Sequence, residues 1–466
     1  MPLLVFDPML PGQRLELWSS DETFCALVAD RGRGGSLGVL GLEPRSRRVL
    51  RRGVEATVAA WRECKGGVEA ALQGGRAFRL RGPAPAAVGG CCCAPAAEEA
   101  ELVEPPPAAM PAAEEKEAKK PKAAGGAVKE AVKALASSGE LSTGAASEAM
   151  RELMAGEATP AQTGAFLALL SLDRCHSGIV HALADVMRAN AVPVQVSRDA
   201  GPVIDIVGTG GDGQDTFNVS TASALVAAGA GASVVKHGNR AASSKSGAAD
   251  VLEAMGARLE LAPAEVPAVL SASNFAFIFA RSYHPAMRHV GPVRQELGIR
   301  TVFNILGPLT NPVKPDGMLC GVFSPTLGRL FAEVFKMLGM KRALVVHGLE
   351  CLDELSIAGP SKVWELEAGG EIREYEVKPS DFGVEAFPLS EIAGGSPAEN
   401  AAEMTELLAG RGRAAVRAAV VLNAGAALYV AGKAESFTAG AALAKAALDG
   451  GRAAKAAEAY VAASKG

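Results

Sequence analysis

The chain has 466 residues, enough for two or three units that each bury a core. Its 47 Lys and Arg against 51 Asp and Glu leave a formal net charge of −4, which excludes a protein that holds nucleic acid by bulk positive charge and leaves small anionic ligands open. No apolar run is long enough to span a bilayer, and the eight cysteines, with Cys91, Cys92 and Cys93 consecutive and Cys25, Cys64, Cys175, Cys320 and Cys351 scattered, fit reduced thiols better than a disulfide framework or a zinc site.

Residues 1–84 carry short apolar runs punctuated by turn residues: "LLVF", "RLELW", "SLGVLGL", "GVEATVAAW" and "GGVEAALQGGRAFRL". This spacing predicts several strands, with one helix near "DETFCALVADR", and hence a small, mostly β accessory domain. The order "FDPMLPGQRLELW", a helix, then "GGRAFRL" resembles the N-terminal substrate-recognition domain of Lon-type proteases, which implies a protein partner for this module. The opening "MPLLVFDPMLPGQRLELW" has no basic n-region and shows neither a signal nor a transit peptide, so a cytoplasmic location is expected, or a plastid one in a photosynthetic source. Residues 85–126 then become a mixture of Pro, Ala, Glu and Lys that cannot bury enough apolar surface to offset its ordering entropy, and they read as a disordered linker.

From residue 127 to about 200 the period turns helical. "AVKEAVKALASSG", "STGAASEAMRELMAG", "TPAQTGAFLALLSL" and "GIVHALADVMRANA" each place apolar residues three and four apart, with Ser142 and Thr159 at N-cap positions and Pro160 at a first helical position. From 201 onward "PVIDIVGTGG" and "ASVVKHGN" read as buried strands that run into glycine loops and then into the helices "TASALVAAGAG" and "GAADVLEAMGA". Such alternation predicts an α/β lobe with a mostly parallel sheet. The helical stretch "RSYHPAMRHVGPVRQELG" interrupts it, so part of 275–315 completes the helical lobe, and the cleft between lobes is the expected site.

Two loops carry the chemistry. In "GTGGDGQDTFNVST" the glycines Gly208, Gly210, Gly211 and Gly213 leave bare backbone N–H groups, and Asn218, Ser220 and Thr221 open the next helix, where free N–H groups and the positive dipole end favour anions. The second loop, in "KHGNRAASSKSGAADVLEAMG", gathers Lys236, Arg240 and Lys245 with Ser243, Ser244 and Ser246. One glycine turn between strand and helix is as often structural as functional, but two loops of polyphosphate type about thirty residues apart are hard to explain as turns. Neither has the GxxxxGK[ST] spacing of a P-loop.

"GTGGDG", "NVST", "KHGNRAASSKSGAADVLEAMG", "HPAMRHVGPVRQELGIRTVFNILGPLTNP" and "LDELS", in this order over residues 127–466, resemble the anthranilate phosphoribosyltransferase family. The resemblance implies a two-lobe phosphoribosyltransferase of nucleoside-phosphorylase type, with 201–466 as the lobe that binds 5-phosphoribosyl 1-pyrophosphate, anthranilate as acceptor, Mg2+ as cofactor and a homodimer formed through the helical lobe. It implies a donor shell of Gly208, Thr209, Gly210, Gly211, Asp212, Asn218, Ser220, Thr221, Lys236, Asn239 and Ser244. Gly208, His237, Gly238, Asn239, Arg294 and Pro308 then face the acceptor, Arg294 holding its carboxylate and Pro308, after Gly307, walling its ring. Ser220, Asp353 and Glu354 stand at the metal. An arbitrary Asp-Glu pair is mostly a solvated turn, but this one follows the strand "ALVVHG". His284 and His289 read either as the lining of an acceptor entry route or as ordinary interlobe histidines, and no acid or base is assigned. Cys351 stands where the family commonly has glycine. A pyrimidine nucleoside phosphorylase shares the architecture but orders its lysine, histidine and glycine loop differently, and a nucleic-acid-binding relative fits poorly with Arg294, the intact acidic pair and a negative chain.

Overall fold

A computed structural model describes residues 126–466 except 242 and 243 and, in the first 125 residues, the backbone of seven strands. The chain divides into two compact units, Met1–Ala118 and Lys119–Gly466. In the first, strands β1 (Leu3–Phe6), β2 (Arg14–Ser19), β3 (Ser36–Leu42), β4 (Val49–Cys64), β5 (Gly67–Leu80), β6 (Cys93–Ala94) and β7 (Ala100–Leu102) form one sheet ordered β2-β5-β4-β3-β1-β6, with β7 also on β5. Only β1 and β3 run parallel in it. The β-rich expectation matches these strands, while the helix expected near "DETFCALVADR" lies outside the described residues. One boundary is corrected: β6 and β7 fall inside the stretch expected to be linker, because a short backbone ladder needs only hydrogen-bond partners and no apolar face.

The second unit opens with α1 (Gly126–Ser137), α2 (Thr143–Ala155), α3 (Pro160–Leu169) and α4 (Ser177–Ala189). Ser142 caps α2 by accepting from Ala145 N, and Thr159 with Gln162 forms a capping box ahead of Pro160. Both caps stand where the sequence placed them.

The sheet follows as β8 (Val203–Gly208), α5 (Val219–Gly229), β9 (Ser233–Gly238), α6 (Ala248–Ala254), α7 (Val266–Ser273) and β10 (Phe275–Phe279). The chain then leaves through α8 (Ala280–Tyr283), α9 (Gly291–Leu297) and α10 (Phe303–Leu306), and returns as β11 (Gly317–Gly321), α11 (Gly328–Met337), β12 (Arg342–Gly348), β13 (Ser361–Leu366) and β14 (Ile372–Val377). Strand order is β10-β9-β8-β11-β12-β13-β14, parallel from β10 to β12 and antiparallel beyond. Chain direction across the sheet reverses between β8 and β11, which makes the crevice at their carboxyl ends a topological switch point.

Alternation along the strands splits the apolar interior in two. Met318, Cys320, Ala343, Val345 and Trp364 pack with α1–α4, Val302 and Phe303, whereas Leu319, Leu344, Val346 and Val363 belong to the larger core on the opposite face. The core of the helical segment thus also takes in residues from 290–309 and one face of the sheet. After Val377 the described residues hold no further strand: α12 (Pro397–Leu408), α13 (Ala414–Val430), α14 (Phe437–Asp449) and α15 (Arg452–Lys465) close the lobe. No helix among the described residues is long and apolar enough to cross a membrane.

Candidate functional site

A cleft of about 570 Å³ lies at the switch point. Its first wall is the loop after β8. Thr209 ties that loop to the end of β11, donating its N–H to Gly321 O at 2.9 Å and accepting from Phe323 N on Oγ1 at 3.0 Å. Gly210, Gly211 and Gly213 then take φ of +71°, +78° and +77°, left-handed turns that bare glycine adopts without Cβ strain. A Cβ on Gly208 or Gly321 would collide with Asp353, so the two glycines let the acidic turn close onto the loop.

Asp353 and Glu354 form the floor. Asp353 Oδ2 accepts from Gly210 N at 2.6 Å, Asp212 Oδ2 accepts from Asp353 N at 3.3 Å, and Glu354 Oε1 accepts from Ser220 N at 3.1 Å. Burial, with Asp212 adding repulsion, pushes Asp353 up to about 7, and burial with Asp353 beside it pushes Glu354 up to about 8. Concentrated negative charge of this kind calls for a cation. Lys236 supplies one from below: only 2 % exposed, it donates through Nζ to Ile206 O at 2.5 Å and to Ser220 Oγ at 3.3 Å. Burial lowers its pKa, while Asp205, Glu354 and Asp353 hold it up.

The second loop makes the opposite wall. Asp250 cinches its neck, accepting from Ala241 N at 2.8 Å and Gly247 N at 3.0 Å, and a Cβ on Gly247 would strike the neck's backbone. Arg240 lies at the cleft but is paired with Asp250 and Glu253 at 3.1 and 2.7 Å. Asn218 joins the two loops, donating to Ser246 O at 3.0 Å and accepting from Ser246 Oγ and from Asn400 on α12.

On the helical side stand His237, His284, Arg294 and Pro308. The two imidazoles are buried with ring centroids 5.1 Å apart, and each Nε2 lacks a hydrogen-bond partner among the described residues. His237 Nδ1 meets Gly307 O at 3.1 Å. Burial, then the neighbouring His284, pulls His237 down to about 3, and burial pulls His284 down to about 4, so both are neutral near pH 7. Arg294 is half-buried over the Phe303 ring at 5.3 Å, and burial lowers its pKa. It has no acidic partner among the described residues.

The cleft brings together Gly208, Thr209, Gly210, Gly211, Asp212, Asn218, Ser220, Lys236, His237, Gly238, Asn239, Ser244, Arg294, Pro308, Asp353 and Glu354. Thr221 is corrected: one residue past Ser220, helical rotation turns it into the core, where it is 1 % exposed and does not line the cleft. Lys245 is exposed and off the cleft, Ser243 lies outside the described residues, and of the two histidines named together only His284 lines the cleft. His289 packs against Gly156 instead. Three features escaped sequence reasoning. Arg300 lines the cleft, Asn400 braces Asn218 from far along the chain, and Asn311 donates to Asp205 Oδ2 and to Val235 O, both at 2.9 Å, beneath His237. Arg300 and Asn311 lie inside motifs already singled out, while Asn400 carried no signal.

Two anion-shaped loops at a switch point, with a helical bundle beside them, place the fold among the two-lobe glycosyl transferases. The model of the helical bundle domain of a glycosyl transferase family matches residues 129–191, and the model of that family's a/b domain matches residues 200–454. Anthranilate phosphoribosyltransferase of Rubrobacter xylanophilus is 46% identical over 72% of this chain and 96% of its own length. The crystal structure of the Thermus thermophilus enzyme of that name covers 73% of this chain and 99% of its own, with 46% identity and a TM-score of 0.68. The Saccharomyces cerevisiae enzyme in complex with PRPP and Mg reaches a TM-score of 0.67 at 28% identity over 72% of this chain and 98% of its own, and is also solved with 4-fluoroanthranilate. The chain belongs to the anthranilate phosphoribosyltransferase family.

Proposed function

We propose that this protein transfers the 5-phosphoribosyl group of 5-phosphoribosyl 1-pyrophosphate to the amino nitrogen of anthranilate and releases pyrophosphate, a step of tryptophan biosynthesis. The observation that carries this reading is Arg294, a half-buried guanidinium with no acidic partner among the described residues, set in the same cleft as two glycine- and serine-rich loops. Such a cation is completed by a planar carboxylate, which its fork can take in two parallel hydrogen bonds. Pro308 and the neutral imidazoles of His237 and His284 wall the ring side without adding charge, and Asn239 stands between acceptor and donor.

The donor's pyrophosphate fits against the glycine loop from Gly208 to Gly211, whose Thr209 and Gly210 N–H groups donate to Gly321 O and Asp353 Oδ2, and against the start of α5 at Asn218 and Ser220, with Lys236, Asp212 and Ser244 around it. Asp353, Glu354 and the Ser220 hydroxyl offer hard oxygen atoms suited to Mg2+, and two carboxylates are the usual protein share when phosphates and water complete its shell. When bound, Mg2+ neutralises charge on the pyrophosphate as it leaves. The amino lone pair forms the bond to ribose C1 as the C1–O bond to pyrophosphate breaks, and the nitrogen's proton passes to solvent. With no strong base assigned to the nitrogen among the described residues, rate comes from placing the two substrates and from the donors aimed at the leaving group.

Mass spectrometry of a reaction mixture tests the reading: N-(5-phosphoribosyl)anthranilate and pyrophosphate in equal amounts support it, and intact anthranilate beside folded protein refutes it. The remaining parts of the reading concern context. The enzyme works in the cytoplasm as a homodimer through the helical lobe, as expected from family resemblance; sedimentation of a monomer at working concentration would refute the dimer. The N-terminal module binds a protein partner, as its resemblance implies, and is dispensable for chemistry, the latter supported by family models that match residues 129–191 and 200–454 only. Residues 127–466 alone should retain the full chain's kcat, and a folded but inactive fragment would overturn this division.

A further inference from the structure

Arg300 lines the cleft, where its guanidinium lies over the Phe323 ring at 4.4 Å and donates through Nη2 to Gly211 O. Gly211 sits in the left-handed turn of the donor loop, and Phe323 follows β11 and is tied by its N–H to Thr209 Oγ1 at 3.0 Å. One side chain therefore touches the loop's turn and also the residue that anchors the loop's first step. Arg300 itself belongs to the acceptor side: it lies between Arg294 on α9 and Phe303 on α10, whose ring underlies Arg294 at 5.3 Å. The stretch is braced just beyond it, where Thr301 N donates to Asn304 Oδ1 at 2.9 Å. Arg300 is exposed, and no carboxylate pairs with it among the described residues, so a surface ion pair does not explain where it points.

We infer that Arg300 is a positioning residue that clasps the donor loop to the acceptor-bearing segment and so couples the two substrate sites. The inference rests on the reading above. A planar guanidinium can stack on Phe323 and donate in its own plane to Gly211 O, whereas an ammonium would keep the charge but lose the stack. With the clasp closed, the Gly210 and Gly211 backbone is held in one of its several accessible turns. Without it the loop must be ordered by the donor itself, at a cost in donor affinity.

The test uses the full-length chain with R300M, R300K and F323L beside wild type. Steady-state kinetics give KM for each substrate, calorimetry gives binding of Mg2+–pyrophosphate, and the fluorescence of anthranilate gives its binding with and without Mg2+–pyrophosphate. Loss of a charged hydrogen bond corresponds to about a tenfold rise in donor KM and in the pyrophosphate Kd for R300M, with a smaller rise for R300K and F323L. Anthranilate binding alone should stay within about twofold of wild type, while its enhancement by pyrophosphate disappears, as a coupling energy requires. Unchanged donor KM and unchanged coupling in R300M overturn the inference. So do equal losses for both substrates together with a lowered Tm, which mark a structural role, and F323L decides in the same way if R300M does not fold. An inactive wild type would instead refute the reaction assigned to the cleft, since calorimetry of pyrophosphate does not depend on turnover.

Discussion

The proposed donor and acceptor sides of the cleft are built by different means. The donor side is mostly main chain: positive-φ glycines, a helix start and the Asp250 neck of the second loop set N–H groups in place, and each piece lies within a contiguous run of sequence. The acceptor side is assembled from side chains on distant segments, with His237 from β9, His284 beyond β10 and Arg294 on α9, all stripped of water to some degree. A polyphosphate offers many oxygens and tolerates a backbone cradle, whereas a small aromatic acid needs one placed cation and dry walls. Damage to the donor side should therefore cost rate and metal dependence, and damage to the acceptor side should cost one substrate's affinity.

The largest expected effect breaks the donor side. The double variant D353N/E354Q keeps size and removes charge. It should lose roughly a hundredfold or more in kcat, the scale of a lost leaving-group stabiliser, and should need more Mg2+ for half-maximal rate. A Mg2+ titration at saturating donor checks this, and an unchanged midpoint with an unchanged rate would return the pair to a solvated turn. Its stability should move the other way. The folded wild type holds these protons up to about pH 7 and 8 where the unfolded chain releases them near 4, so folding loses stability as pH rises through that window. The advantage of D353N/E354Q in Tm, measured without metal or donor, should therefore be larger at pH 8 than at pH 5. His237 and His284 titrate alike in both proteins and cancel from this difference.

Next in size is Arg294→Ala, which sharpens the comparison from the acceptor side. Removing a charge-assisted carboxylate contact of roughly 1.5 to 3 kcal/mol should weaken anthranilate about ten- to a hundredfold and leave the donor KM nearly unchanged. Equal losses for both substrates would erase the distinction between the two sides. The smallest effect lies beside the cleft floor, at Cys351, whose φ of +66° is a left-handed conformation in an exposed turn. Cys351→Gly relieves that strain but adds freedom to the unfolded chain, so stability should rise by at most about 1 kcal/mol, read as a small gain in Tm with activity unchanged. A loss of stability would mean that the cysteine side chain contributes packing here.

The same contrast governs what was legible in the sequence. Strand, glycine loop and helix start are neighbours along the chain, so Gly208 to Asp212, Asn218 and Ser220 could be read directly, as could the N-caps at Ser142 and Thr159. Thr221 misled because a motif gives residue order and not the helical rotation that turns this side chain inward. Cys351 was read as an odd residue at a glycine position, and its positive φ is the physical meaning of that oddity. Contacts across the fold left no local trace. The Asn218–Asn400 bond spans 182 residues, and the Asp205–Asn311 bond spans 106. The first unit's sheet also extends past the composition change at residue 84, since hydrogen-bonded pairing of 93–94 and 100–102 does not depend on apolar content.

The most direct measurement follows anthranilate fluorescence with the full-length protein while each component is withheld in turn. Anthranilate should be consumed only when 5-phosphoribosyl 1-pyrophosphate and Mg2+ are both present, at a rate proportional to protein, and consumption should slow by roughly a hundredfold or more in D353N/E354Q. Steady fluorescence in the complete mixture, with protein shown to be folded, would contradict the assignment of this cleft, as would consumption that continues without the donor.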